Sequence, residues 1–220
     1  LEYEGKEPER MPILYVFRHA KSSWSDSTLG DFDRPLANRG IKAANKMGAV
    51  MRDSGISPDF ILCSTSRRTR ETLGLILPHL KGECRILMED CVYKMQETIG
   101  LIDRLRRVRA GVGRVMVIGH NPIMQDISLS LCKTANNPEN LDAMTEKFPT
   151  AALAVLDLGD APWPALSPHC ATFTDFITPQ ATSSSLSLIT AYAPVSSSSV
   201  FLPVPFSGPS SYSSPFPLVF

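Results

Sequence analysis

Three short stretches carry side chains able to act on an anion. LYVFRHAKSS, residues 14 to 23, sets Arg18 and His19 side by side directly after an apolar run. STSRRTRET, residues 64 to 72, supplies Arg67, Arg68 and Arg70 just after another such run. GHNP, residues 119 to 122, puts His120 after a third. Guanidinium forks hold phosphate oxygens in bidentate hydrogen bonds, and a neutral imidazole is a nucleophile or a proton carrier. Each stretch also has an ordinary explanation. A strand stops in a polar loop, RRTR solvates a helix face, and His120 before Asn-Pro occupies a turn. Function is indicated by their recurrence at equivalent places, which depends on the elements that carry them.

Those elements alternate between strand and helix. ILYVF (13–17) is a continuous run of strand formers, as expected of a strand buried on both faces. A helix is predicted over 38–55, where Ile41, Ala44, Met47, Val50 and Met51 recur near a 3.6-residue period and Gly55 supplies a stop. Strands follow at 58–64, 84–88 and 113–122, the last running into a loop, and late strands at 150–158 and 171–179. Helices are predicted over 66–80, which Pro78 ends or bends, over 96–111 with an Arg-rich last turn, and over about 123–132. The RLRRVR of that 96–111 helix follows no strand end and reads as surface. Alternation of this kind gives an α/β fold, a mostly parallel sheet covered by helices, whose ligands bind beyond the carboxyl ends of the strands. All three polar stretches then meet at one rim.

Composition narrows the partners. The 220 residues suffice for one sizeable domain, and 22 basic residues balance 22 acidic ones. No global field therefore recruits nucleic acid or an anionic membrane. Five scattered cysteines form no CxxC pair and no zinc-like spacing, which suits a reducing compartment and small buried roles. A cytoplasmic protein is expected, because no apolar run approaches the roughly 20 residues of a membrane span. Residues 1–11 are charged and read as an N-terminal extension, with Met11 a candidate start. The domain is expected over 12–179. After Asp175 the remaining 45 residues contain no Asp, Glu, Lys or Arg, and Ser and Pro dominate. Residues 180–220 accordingly read as a disordered low-complexity tail, authentic or from an abnormal reading frame.

Taken together, RHAKSSW, DFDRPLANRG, STSRRTRET and GHNP resemble the histidine phosphatase superfamily, also called phosphoglycerate mutase-like. The string RHAKSSW…DRPL…RG is most similar to its SixA-like phosphohistidine phosphatase branch. The resemblance covers about residues 12 to 179. It implies a three-layer fold and a site made of Arg18, His19, Arg68 and His120. Arg68 is the matching arginine of the second stretch, four residues after Ser64 and four before Thr72. Ala20 stands where many members have glycine, a departure common in this branch.

The implied reaction is phosphate hydrolysis through a phosphohistidine on His19, with no metal and no cofactor. Alkoxide leaving groups need a protonated acid, whereas a protonated imidazole leaves easily. Glu89 and Asp90, at the end of the third strand, are proton-donor candidates by position, Glu89 first. Lys21 and Arg34 are candidates for the pocket edge. The expected substrate is phosphohistidine in a protein. A small phosphorylated metabolite is the alternative, and a non-catalytic phosphate-binding scaffold a third reading. Nothing in the sequence fixes the oligomeric state.

Overall fold

The computed structural model describes residues 12–95 and 97–180. The expected extension, 1–11, and all of the expected tail after Gln180 lie outside the described residues. Seven strands form one sheet: β1 (Ile13–Arg18), β2 (Phe60–Ser64), β3 (Arg85–Glu89), β4 (Arg114–Gly119), β5 (Cys132–Ala135), β6 (Leu153–Asp157) and β7 (Ala171–Ile177). Their order is β3-β2-β4-β1-β6-β7-β5. Only β6 runs against its neighbours, pairing antiparallel with both β1 and β7. The sheet is mostly parallel, as expected.

Continuous apolar runs become the central strands because both faces of the sheet are covered. Leu14 and Val16 of β1 pack on one side with Leu101, Ile102 and Leu105 of α4 (Thr98–Leu105). On that side they also meet Ile127 and Leu131 of α5 (Ile123–Leu131). Tyr15 and Phe17 point the other way, toward Met47 and Met51 of α1 (Asn38–Asp53) and Ile76 of α2 (Arg67–Ile76). These are the three layers. Strand β3 is different: it sits at the sheet's edge and leaves Ile86 and Met88 exposed.

Several boundaries differ from the sequence pattern. The helix expected over 66–80 ends at Ile76, and Pro78 lies in a 3-10 turn, Leu77–His79. The helix expected over 96–111 stops at Leu105, and turns carry the chain to Gly111, whose φ of 87° suits only glycine. Most of the arginine-rich segment therefore lies past the helix end. Arg104 is not a free surface group, since it pairs with Glu89 at 2.6 Å and is largely buried. Two helices have no counterpart in the pattern, α3 (Asp90–Lys94) and α6 (Pro138–Glu146). Nor was β5 apparent, being four residues long. The cysteines are all free, but only Cys63 is buried, so small apolar roles do not account for the other four.

Candidate active site

Register brings the three polar stretches together. β4 pairs in parallel with β1 on one side and β2 on the other, so all three strands end on one rim. Arg18 lies opposite Gly119, and Cys63 opposite Ile118. The next residues along β1 and β4, His19 and His120, therefore fall side by side, and Ser64, level with Gly119, stands one position behind them. The His19 N–H continues the ladder by donating to the Gly119 carbonyl at 3.1 Å.

His19 is nearly buried, with 8% of its surface exposed. Its Nδ1 lies 2.7 Å from the Ala20 carbonyl oxygen. A carbonyl only accepts, so Nδ1 carries the hydrogen and Nε2 keeps its lone pair. Burial pushes the His19 pKa down to about 3, against the help of that hydrogen bond, and the charges of Arg68 and Arg18 push the same way. Ring centroids of His19 and His120 are 5.0 Å apart. Burial likewise lowers His120 to about 4, with Arg68 and Arg18 adding to the effect and Asp31 opposing it. His120 Nε2 is 2.8 Å from Ser64 Oγ.

The arginines have distinct supports. Arg18, the last residue of β1, donates through Nη1 to the Phe148 carbonyl, and its Nε is buried without a partner. Arg68 sits in the first turn of α2 and is only 6% exposed. Arg67 and Arg70 lie exposed, and Arg67 pairs with Glu71 at 2.7 Å, so the helix turns one arginine of three inward. Arg68 Nη1 donates to the Asp31 backbone carbonyl and Nη2 to its carboxylate at 2.9 Å. Asp31 also accepts from the Tyr93 hydroxyl at 3.0 Å and from Arg34 at 2.7 Å. Burial raises the Asp31 carboxyl, but these hydrogen bonds and the charges of Arg68 and Arg34 outweigh it and hold the group below its ordinary value.

A cavity of about 530 Å³ opens over this rim, lined among others by Asp31, Arg68, Tyr93, His120 and Asn121. Among the described residues five buried side-chain polar atoms lack a partner, and three are here: Arg18 Nε, His120 Nδ1 and Asn121 Oδ1. Buried polar atoms are ordinarily satisfied, so such a cluster is suited to a polar ligand. No group of three His, Cys, Asp or Glu side chains among the described residues is placed to hold a metal ion.

The structure separates the remaining candidates from this group. Glu89 does not line the cavity: Arg104 grips both of its oxygens, at 2.9 and 2.7 Å from Nε. Those hydrogen bonds hold its carboxyl below the usual range, against burial, so it is a poor proton donor. Asp90 turns to Thr65 and to Lys94, 3.7 Å away. Arg34 is spent on Asp31, Ser22 and the Ser23 carbonyl, with its guanidinium 3.3 Å over the Trp24 ring, so it braces the loop and does not edge the cavity. Lys21, like Arg18 and His19, is not among the cavity's lining residues, and its backbone carbonyl binds the Ala37 N–H at 2.9 Å. Asp31 and Tyr93 were missed by sequence reasoning. The one available signal for Asp31 was its position three residues before Arg34.

A profile of the histidine phosphatase superfamily (branch 1) matches residues 14–90. An uncharacterized protein of Mycobacterium tuberculosis is 32% identical over 164 residues, which cover 74% of this chain and 99% of that one. The chain belongs to the histidine phosphatase superfamily. Within it, this histidine phosphatase is similar to SixA from Agrobacterium tumefaciens, at 28% identity and a TM-score of 0.64 over 77% of this chain and 99% of that one. SixA from Nakamurella multipartitia gives 25% identity and a TM-score of 0.67 over 80% and 100%. The SixA-like branch and phosphatase chemistry are thereby supported. Among the described residues of this histidine phosphatase no helix is long and apolar enough to cross a membrane.

Proposed function

We propose that the chain dephosphorylates phosphohistidine in a protein by way of a covalent phosphate on His19. The observation that carries this reading is the Nδ1–H hydrogen bond to Ala20, which leaves a neutral imidazole with Nε2 free beside two guanidinium groups. Nε2 attacks phosphorus, a new P–N bond forms, and the bond to the leaving group breaks with its electron pair. Arg18 and Arg68 offset the charge of the phosphoryl oxygens, the role a metal ion has in many other phosphoryl-transfer sites. Ser64 Oγ accepts the Ser66 N–H at 3.4 Å, leaving its own proton for His120 Nε2. In that arrangement His120 Nδ1 carries the ring hydrogen. Water then attacks the phosphohistidine and releases inorganic phosphate.

The missing acid supports this substrate class. Glu89 is bound to Arg104, and Asp31, the one carboxylate among the described cavity residues, is held ionised. An alkoxide leaving group would find no protonated carboxyl among the described cavity residues, whereas a protonated imidazole requires none. The SixA proteins that this chain resembles bear the name phosphohistidine phosphatase, which supports the same substrate. Mass spectrometry after brief exposure to a phosphohistidine peptide should find phosphate on the His19 peptide. His19→Ala should lower turnover by at least roughly a thousandfold. A variant retaining more, or phosphate trapped elsewhere, would place the nucleophile at another residue.

A further inference from the structure

We propose that the Asp31 carboxylate receives the leaving group, accepting a hydrogen bond from the ring N–H of the departing imidazole and so favouring P–N over P–O substrates. This rests on the phosphohistidine reading above and assigns the residue that selects for it. Asp31 is the one carboxylate among the described residues that line the cavity. Its Oδ2 lies 2.9 Å from Arg68 Nη2, so a phosphate held by Arg68 has this carboxylate as a neighbour. Three donors fix it: Arg34 from its own loop, Arg68 from α2 and Tyr93 from α3. Half of its side-chain surface is nonetheless exposed to the cavity side of the protein and open to a further donor.

The chemistry balances without another reactant. Phosphohistidine protonated on its second ring nitrogen has a cationic ring bearing an anionic phosphoryl group. When His19 Nε2 takes the phosphorus, the electron pair of the breaking P–N bond returns to the ring, which leaves as neutral imidazole still carrying its N–H. A carboxylate facing that N–H favours the protonated, reactive form before transfer. The same carboxylate has no proton to give an alkoxide and repels an anionic leaving group, so one side chain acts in opposite directions on the two substrate classes.

Asp31→Asn tests this, with kcat/KM measured on a phosphohistidine peptide and on p-nitrophenyl phosphate, whose leaving group needs no proton. The peptide-to-aryl ratio should fall by roughly tenfold or more, the scale of one hydrogen bond to a charged group. Equal losses on both substrates would mean that Asp31 only orients Arg68, and would overturn the proposal while leaving the phosphohistidine reading intact. A wild-type enzyme that turns over the aryl ester but not the peptide would overturn both. A wild-type measurement needs no folded variant: the alkaline limb of kcat on the peptide should lie at least about one pH unit above the ring titration of the free peptide. The groups facing Asp31 are Arg34, Arg68 and Tyr93, and burial together with Asp31 itself pushes Tyr93 up, out of that range. His120 titrates far below it. A limb coinciding with the free peptide's titration would overturn the proposal.

Discussion

An arginine that grips phosphate must itself be held, because a loose guanidinium loses conformational freedom each time substrate binds. Arg68 meets that condition through two contacts to Asp31, one to the backbone carbonyl and one to the carboxylate. Its fork geometry lets it keep both and still present N–H groups to a ligand. Lysine has the charge but not the fork, so Arg68→Lys should lower kcat/KM by about two orders of magnitude, near 3 kcal/mol. Arg70→Lys should be close to silent, since Arg70 lies exposed on the same helix. Kinetics on the two variants decide between them: a crippled Arg70→Lys beside an active Arg68→Lys would put the wrong arginine in the site. The choice of Arg68 was legible as spacing from Ser64. Its support was not, because Asp31 lies 37 residues away and only the folded chain brings it to the guanidinium.

At the scale of elements, the site's precision depends on how closely α1 approaches the loop after β1. A Cβ on Gly40 would come within 2.1 Å of the Lys21 carbonyl oxygen, a contact only backbone displacement can relieve. Lys21 is two residues from His19, and the intervening Ala20 N–H is fixed by Thr72 Oγ1 at 3.0 Å. Gly40→Ala should therefore cost about 1–3 kcal/mol in denaturant unfolding and lower turnover as well. Gly74 is the control: it lies within α2 with nothing near its missing Cβ, so alanine there should stabilise by about 0.5–1 kcal/mol. If both variants unfold at the same denaturant concentration, the close approach at Gly40 is wrong. The elements bearing the site were readable because β1, β2 and β4 are buried on both faces, which writes apolar runs into the chain. Helix α6 buries only Met144 and so has no apolar stripe; its start depends on an Asn137 side chain capping Asn140 N–H at 3.1 Å. The fate of Glu89 was unreadable for a related reason, since its partner Arg104 comes from a helix 15 residues on.

For the whole molecule, closing helices over both faces of the sheet places His19 and His120 where protonation is unfavourable, and this couples stability to pH. Both are depressed in the folded state, to about 3 and about 4, while an unfolded histidine titrates near its ordinary 6.5. Above 6.5 neither state binds the proton, so stability is fully present there. As pH falls below 6.5 the unfolded chain takes up protons that the folded one refuses, and stability drops until the folded values are reached. Between pH 7 and 5 the pair should cost on the order of 3 kcal/mol. Asp31 and Glu89, both held low, act in a separate window: their contribution is lost only as pH falls further, through the carboxylate range. Replacing both histidines by asparagine should therefore remove most of the drop between pH 7 and 5, measured as the shift in denaturant midpoint. A double variant whose midpoint falls as far as the wild type's would show that the two imidazoles are not the buried, neutral groups the site requires.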